Sequence, residues 1–139
     1  MAKKPKAIVL DSWAVIAYLE DEAAAEKVAD IISDAHEEGI PLLMTVVNAG
    51  EVWYIVARET STADADASIK QLRDLGIQFI EVDWDLAKDA GYFKSKHRMS
   101  FADCFAAALA KQRKAQLATG DPEFKQIEHE IDINWLGKA

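Results

Sequence analysis

Short apolar runs alternate with segments of helical period along the chain. The apolar runs predict strands at residues 7–10, 42–44, 77–82, 117–119 and 131–135, the last as an edge strand. Between them, apolar residues that recur every three or four positions predict helices over about 12–19, 22–38, 45–59, 63–75 and 83–97, with another from residue 100. This alternation is typical of an α/β fold with a central, mainly parallel sheet flanked by helices.

Start and stop signals support these boundaries. Gly39 ends one predicted helix, Thr45 and Ser100 begin two others, and Pro122 suits the first position of a short helix. No repeat, linker or low-complexity tract interrupts the pattern, and half of the residues are hydrophobic. We therefore expect one domain spanning residues 1–139.

The cysteine content and the first residues bear on the compartment. Cys104 is the single cysteine, which excludes an internal disulfide framework and favours a reducing environment. The basic start at residues 1–6 is followed by about four apolar residues, too few for a signal-peptide core or a membrane span. We expect a cytoplasmic protein with no membrane partner.

The net charge of −8 is unevenly distributed. Residues 20–38 hold eight acids and one base, whereas residues 94–114 hold six bases and one acid, Asp103. A basic region beside a candidate site residue is compatible with a phosphate-backbone substrate, because local fields steer ligands more than the total charge does. Two solvated faces of opposite sign explain the same pattern without a ligand.

Four carboxylates lie in apolar stretches without a basic neighbour, namely Asp11, Glu51, Asp103 and Asp121. A carboxylate among apolar residues is costly unless it is paired, hydrogen-bonded or bound to a metal. Asp11 and Asp121 follow predicted strands, and Asp103 lies in the first turn of a helix, where the helix dipole favours an anion. Right-handed βαβ connections are expected to bring all four acids to one rim of the sheet.

Oxygen ligands without histidine or cysteine are typical of sites for Mg²⁺ or Mn²⁺. Two such cations activate a water molecule and stabilise the leaving oxygen in phosphodiester hydrolysis. Ser12, Asn48 and Thr119 lie within three residues of one of the acids. These polar side chains are candidates to orient ligands or waters, or act simply as helix caps.

Three of the acids also have structural explanations. Asp11 suits the cap of the helix that follows it, and Asp121 before Pro122 suits a turn. Ser100 and Asp103 have the spacing of a capping box, with Asp in place of the usual Glu.

Glu51 is different, because no base lies three or four positions away from it on its helix. Asn48 would cap that helix if the helix began late, and Thr45 is an equally good start. For Glu51 we favour a functional role.

Other chemistries fit the sequence poorly. A nucleophilic pair of Cys104 and His97 lacks a third group to orient it, and Cys104 in an alanine-rich helix is expected to be packed in the core. No glycine-rich phosphate loop follows the first strand. The sequence Asp11-Ser12-Trp13 also differs from the Asp-x-Asp of an aspartyl-phosphate mechanism.

Four segments of the chain resemble the PIN domain family, and more narrowly the small ribonuclease toxins of VapBC toxin–antitoxin pairs. They are Asp11-Ser12, Asn48-x-x-Glu51-Val52, Ser100-Phe101-Ala102-Asp103 and Thr119-Gly120-Asp121-Pro122-Glu123-Phe124. The resemblance runs over nearly the whole chain, and its last two segments are the most specific. One residue departs from the family pattern: Trp13 stands where a small polar residue is usual, which bears on substrate fit and on access to the site.

The resemblance implies a three-layer PIN-like fold with about five parallel strands and a metal-dependent endoribonuclease. It implies metal-binding and catalytic roles for Asp11, Glu51, Asp103 and Asp121, supported by Thr119 and Glu123. It further implies a homodimer, which the apolar excess of residues 46–57 permits, and an antitoxin whose tail covers the acidic site.

The leading hypothesis is thus a Mg²⁺- or Mn²⁺-dependent ribonuclease toxin, with basic residues between 94 and 114 holding the RNA backbone. The alternative is a catalytically degenerate PIN-like domain whose acidic groove binds a basic partner peptide, with Trp13 obstructing the chemistry. The choice of RNA over DNA rests on the resemblance alone.

Overall fold

A computed structural model describes residues 4–137, so the ends of the predicted domain, residues 1–3 and 138–139, lie outside the described residues. The strands are Ile8–Leu10 (β1), Leu42–Thr45 (β2), Ile77–Ile80 (β3), Gln116–Thr119 (β4) and Asp132–Trp135 (β5). The helices are Ser12–Leu19 (α1), Ala25–Glu38 (α2), Val46–Glu59 (α3), Thr62–Asp74 (α4), Trp84–Lys96 (α5) and Phe101–Arg113 (α6), followed by a 3₁₀ helix at Pro122–Ile127. The predicted alternation of strands and helices is confirmed.

The largest boundary error is at the start of α2, which was predicted at residue 22. The chain first makes a tight turn after α1, in which Asp21 has a positive φ of 52° and the Glu22 N–H bonds to the Ala17 carbonyl. Because of this turn, α2 begins at Ala25. At the other end of α2, Gly39 takes the left-handed conformation with φ 69°, as its stop signal predicted.

All five strands are parallel, in the spatial order β3-β2-β1-β4-β5. From β1 the chain winds to β2 and β3 on one side, and then crosses to β4 and β5 on the other. The order therefore reverses at β1 and β4, whose carboxyl ends are adjacent because Leu10 pairs with Ala118. We call this place, between the carboxyl ends of β1 and β4, the switch point of the sheet. In open parallel sheets, ligands bind outside the carboxyl ends of the strands at the switch point.

Helices cover both faces of the sheet and produce the three-layer arrangement. Val9 and Leu43 face the core beneath α5 and α6, whereas Leu10 and Met44 face the core beneath α1 to α3. Burial on both faces explains why the strands read as continuous apolar runs rather than as alternating patterns. In the described residues, no helix is both long and apolar enough to cross a membrane.

The alanine-rich helix α6 is the most deeply buried helix near the site. Every residue from 103 to 110 is buried, and Ala106, Ala107 and Ala108 have no exposed surface. Small side chains let the helix axis lie close to the sheet, which fixes the height of the first turn of α6 above the strand ends. Cys104 is fully buried in this packing, so the prediction that it belongs to the core is confirmed.

Substitution Ala107→Leu is expected to lower the free energy of unfolding by about 1–3 kcal/mol, because the added carbons must displace α6 from the sheet. Urea denaturation measures this change. The matched variant Ala67→Leu, on the exposed side of α4, should shift it by less than about 0.5 kcal/mol. Equal effects of the two variants would contradict the close packing of α6.

Candidate active site

Asp11 lies at the centre of the site, directly after β1, and is fully buried. One carboxylate oxygen accepts a hydrogen bond from the backbone N–H of Ala14 at 2.9 Å and so caps α1, as its sequence position suggested. The other accepts a hydrogen bond from the Thr119 hydroxyl at 2.5 Å. Because Thr119 ends the neighbouring strand β4, this bond ties the two strands together at the switch point.

Thr119 continues the contact to Asp121. Its hydroxyl oxygen accepts a hydrogen bond from the Asp121 backbone N–H at 3.0 Å. Asp121 in turn caps the 3₁₀ helix, since Oδ1 accepts from the Glu123 N–H at 2.9 Å. The turn-and-cap interpretation of Asp121 is therefore correct, and it leaves Oδ2 without a role in the cap.

Asp103 is held in the first turn of α6, where its backbone N–H donates to the Ser100 hydroxyl at 3.1 Å. The predicted capping box is only half right. The Ser100 backbone N–H donates instead to Oε1 of Glu123 at 3.2 Å. Aspartate is one methylene shorter than the glutamate that normally reaches back, and Glu123 takes its place from another element.

The carboxylates of Asp103, Asp121 and Glu123 form the acid cluster: one oxygen from each lies within 4.8 Å of the other two. Within residues 4–137, this is the one group of three or more His, Cys, Asp or Glu side chains placed to hold a metal ion. Sequence reasoning gave Glu123 only a supporting part, whereas its carboxylate is one of the three in the acid cluster. The signal was its position in the first turn of a helix that Asp121 caps.

The electrostatics of the site show that the acids act on one another. Burial raises the pKa of Asp11 to about 7, against the opposing hydrogen bonds from Thr119 and Ala14, and the charges of Asp121 and Glu51 raise it further. For Asp103, burial is again the largest cause of a pKa of about 8, followed by the hydrogen bond shared with Glu123 and by the neighbouring carboxylates. Protons or a cation must offset this repulsion.

Glu51 contributes from α3, where its side chain is half-buried. Its charge is near enough to Asp11 to raise the pKa of that carboxyl. Glu51 is therefore a neighbour of Asp11 and lies outside the cluster of three oxygens.

Asn48 and Ser12 join the helices around the site through hydrogen bonds. The Asn48 amide donates to the Ala102 carbonyl at 3.0 Å, and the Ser12 hydroxyl donates to the Asn48 carbonyl at 3.2 Å. Thr45, rather than Asn48, caps α3, so the late start considered for this helix is wrong. These bonds fix the starts of α1, α3 and α6 relative to one another.

The basic stretch 94–114 is divided by the fold. Lys111 pairs with Glu130, and Arg113 lies ten residues along α6 from Asp103, roughly 15 Å at the rise of a helix. Arg98 lies in the loop that leads to Ser100, at the end of α6 where the acids are, and its side chain is exposed. Lys94 is also near this end, but its ammonium donates to the Met99 carbonyl at 2.6 Å.

The thiol chemistry considered from the sequence is not supported. Burial raises the pKa of the Cys104 thiol to about 11, and the sulfur has no exposed surface. The Nε2 atom of His97 lies 3.6 Å from a carboxylate oxygen of Glu130. The carboxylates are then the remaining titratable groups of the site, and an all-oxygen donor set suits a hard divalent cation.

The raised pKa of Asp11 has a consequence for stability. In chelator, the difference in unfolding free energy between the natural protein and Asp11→Asn should fall by roughly 2–4 kcal/mol as the pH rises from 4 to 7. The sign follows because the folded state binds the Asp11 proton more tightly than the unfolded chain does. This stabilisation is complete below the unfolded value of 3.8 and lost above about 7.

Urea denaturation at several pH values measures the difference, and Asp11→Asn serves as the reference because it carries no charge at any of them. A difference that rises with pH would contradict the burial of an uncompensated carboxylate.

Comparisons with known proteins bear on the family and the fold. A family model for the PIN domain matches residues 8–130, whereas no curated protein matches the chain. Among solved structures, VapBC2 from Rickettsia felis bound to a promoter DNA fragment has a TM-score of 0.71 and 12% identity, covering 91% of this chain and 96% of that one.

Two further structures share the fold. The Mycobacterium tuberculosis toxin VapC20, described as cleaving the sarcin-ricin loop, has a TM-score of 0.67 and 18% identity, over 86% of this chain and 94% of its own. FitAcB from Neisseria gonorrhoeae has a TM-score of 0.67 and 20% identity, over 93% and 97%. The family model spans most of the sequence and the toxin structures share its architecture: this chain belongs to the PIN domain family.

Proposed function

We propose that this protein is a metal-dependent endoribonuclease, and that it is the toxin of a type II toxin–antitoxin pair. The observation that carries the proposal is the acid cluster at the switch point of the sheet, with buried Asp11 behind it. Membership of the PIN family and the fold shared with VapC toxins favour this function over a peptide-binding domain without activity.

The acid cluster fits Mg²⁺ or Mn²⁺, because it offers carboxylate oxygens alone and has a surplus of negative charge. Asp103, Asp121 and Glu123 would hold the ion, with Asp11 and Glu51 adding negative charge around it. When bound, a divalent cation neutralises phosphate charge and lowers the pKa of water.

The chain itself supplies the positioning. The Thr119 hydroxyl accepts the backbone N–H of Asp121, Oδ1 of Asp121 accepts the Glu123 N–H, and Oε1 of Glu123 accepts the Ser100 N–H. Asp121 and Glu123 therefore each keep one carboxylate oxygen outside these bonds for a ligand. Exposed Arg98 is available to contact an RNA phosphate at the same end of α6. In the reaction, water attacks phosphorus and gives up a proton, the P–O bond to the adjoining ribose breaks, and the leaving oxygen takes up a proton.

The partners follow from the same chemistry. A basic side chain from an antitoxin can neutralise the acid cluster in place of the metal, and the Klebsiella pneumoniae structure that shares this fold is a toxin–antitoxin complex. We further propose that the chain forms one domain, acts in the cytoplasm as a homodimer and cleaves RNA rather than DNA.

Asp121→Asn is expected to lower metal-dependent cleavage of total cellular RNA by roughly 100-fold or more. The substitution keeps an oxygen for the Glu123 N–H and removes the charge. Discrete fragments that form with Mn²⁺ or Mg²⁺ and not with chelator provide the measurement, and Asp30→Asn on exposed α2 is the matched control. A folded natural protein that cuts no RNA with either ion would support the peptide-binding alternative instead.

The variant Glu123→Gln tests the contribution of Glu123 to metal binding while keeping its hydrogen bond to Ser100. The glutamine carbonyl can still accept the Ser100 N–H and one repelling charge is removed, so the melting temperature in chelator should be no lower than that of the natural protein. Added Mn²⁺ at pH 8 should raise the melting temperature of the natural protein by several degrees and that of the variant by much less.

Differential scanning fluorimetry measures both shifts. Glu81→Gln, at an exposed position after β3, is the control and should respond like the natural protein. The same Mn²⁺ response in Glu123→Gln and the natural protein would remove Glu123 from the metal site.

A further inference from the structure

A cleft of about 800 Å³ opens beside the acid cluster, at the end of the sheet where β4 and β5 finish. Its lining includes Trp13, Trp135, Gly120, Pro122, Lys125 and Glu128, and none of the four acids identified from the sequence. The volume lies in the range of small-molecule sites, which is about 300–1,000 Å³.

The cleft and the acid cluster share one turn of the chain. Gly120 and Pro122 line the cleft, and Asp121 lies between them. A ligand in the cleft therefore reaches to within one residue of the acids. Because Thr119 and the cap of the 3₁₀ helix fix this turn, the cleft has a defined position relative to any phosphate bound at the acids.

Glycine at position 120 allows Trp13 to form part of the cleft. A Cβ atom at residue 120 would collide with the ring carbons of Trp13 and with the Gly137 carbonyl oxygen. The indole of Trp13 thus lies directly against the backbone next to Asp121. Position 13 is also where the sequence has a tryptophan in place of the small polar residue usual in the family.

The lining has the chemistry of a nucleotide site. Trp13 and Trp135 both line the cleft, and both are half-buried. Lys125 and Glu128 are exposed and lie three residues apart around the 3₁₀ helix, the spacing at which side chains eclipse. Aromatic faces stack on unpaired bases, a lysine pairs with phosphate, and a carboxylate accepts from base amino groups.

We propose that this cleft binds an unpaired nucleotide of the RNA substrate, next to the phosphate that is cleaved. The base stacks on the indoles of Trp13 and Trp135, Lys125 contacts the backbone phosphate, and Glu128 accepts a hydrogen bond from the base. The proposal rests on the proposed nuclease function and names a subsite for its substrate. A lysine beside two indoles and a phosphate-cleaving centre favours a nucleotide over an apolar peptide.

The test measures RNA binding in the Asp103→Asn background, where the substrate stays intact. A short single-stranded RNA that contains 2-aminopurine is titrated with protein in Mg²⁺. Fluorescence anisotropy gives the affinity, and quenching of 2-aminopurine reports stacking on an indole. Trp13→Leu should weaken binding by about 5- to 150-fold, the range for loss of one stacked base, and should reduce the quenching.

Three companion variants keep the test decisive. Trp84→Leu makes the same change at a residue that is 73% exposed on α5, outside the cleft, and should bind RNA normally. Trp13→Tyr keeps an aromatic face and should restore most of the quenching. Lys125→Ala, at an exposed position, should weaken affinity and leave the quenching of bound RNA unchanged.

The outcomes separate the subsite from the nuclease. If Trp13→Leu and Lys125→Ala bind RNA as the Asp103→Asn background does, the subsite is wrong, whether or not the natural protein cleaves RNA. The same conclusion follows if Trp13→Leu loses only the binding of a basic, apolar peptide. If binding depends on Trp13 but the natural protein cleaves nothing, the subsite stands and the proposed nuclease fails.

Discussion

The site depends on the hydrogen bond from the Thr119 hydroxyl to the buried carboxylate of Asp11. It joins the ends of β1 and β4 at the point where the order of the sheet reverses. The Thr119 oxygen also accepts the Asp121 N–H, so one hydroxyl fixes a buried acid and an acid of the cluster at the same time. The bond therefore sets the carboxylate of Asp11 relative to the turn at residues 120–122, which carries Asp121 and borders the cleft.

Holding these acids together has an energetic cost. Burial is the largest cause of the raised pKa values of Asp11 and Asp103, and the neighbouring carboxylates raise them further. Backbone donors offset part of the cost, since Asp11 accepts from Ala14 and Asp121 from Glu123. The remaining repulsion is what makes the site selective for a cation: a hard divalent ion relieves it, and a proton does so only at lower pH. The repulsion among these carboxylates thus both destabilises the fold and favours binding of a cation.

Much of this was available from the sequence, because the evidence for it was local. Strand-length apolar runs gave the sheet, and Gly39, Thr45 and Ser100 marked helix ends with the chemistry that the structure shows. Contacts between residues far apart in the chain were not predictable. Thr119 reaches Asp11 across 108 positions, and Glu123 takes over the reach-back contact to Ser100 that was assigned to Asp103. The cleft was also missed, since its lining comes from α1, from the turn after β4 and from the end of β5, which are far apart in the chain.

The central claim is that the acid cluster binds a divalent cation, and a crystal structure with Mn²⁺ tests it most directly. Anomalous scattering locates the ion without reference to any assumed reaction. The account predicts one strong peak between Asp103, Asp121 and Glu123, with carboxylate oxygens about 2.0–2.2 Å away. A peak held by other residues, or none at the acid cluster in crystals saturated with Mn²⁺ above pH 8, would contradict it.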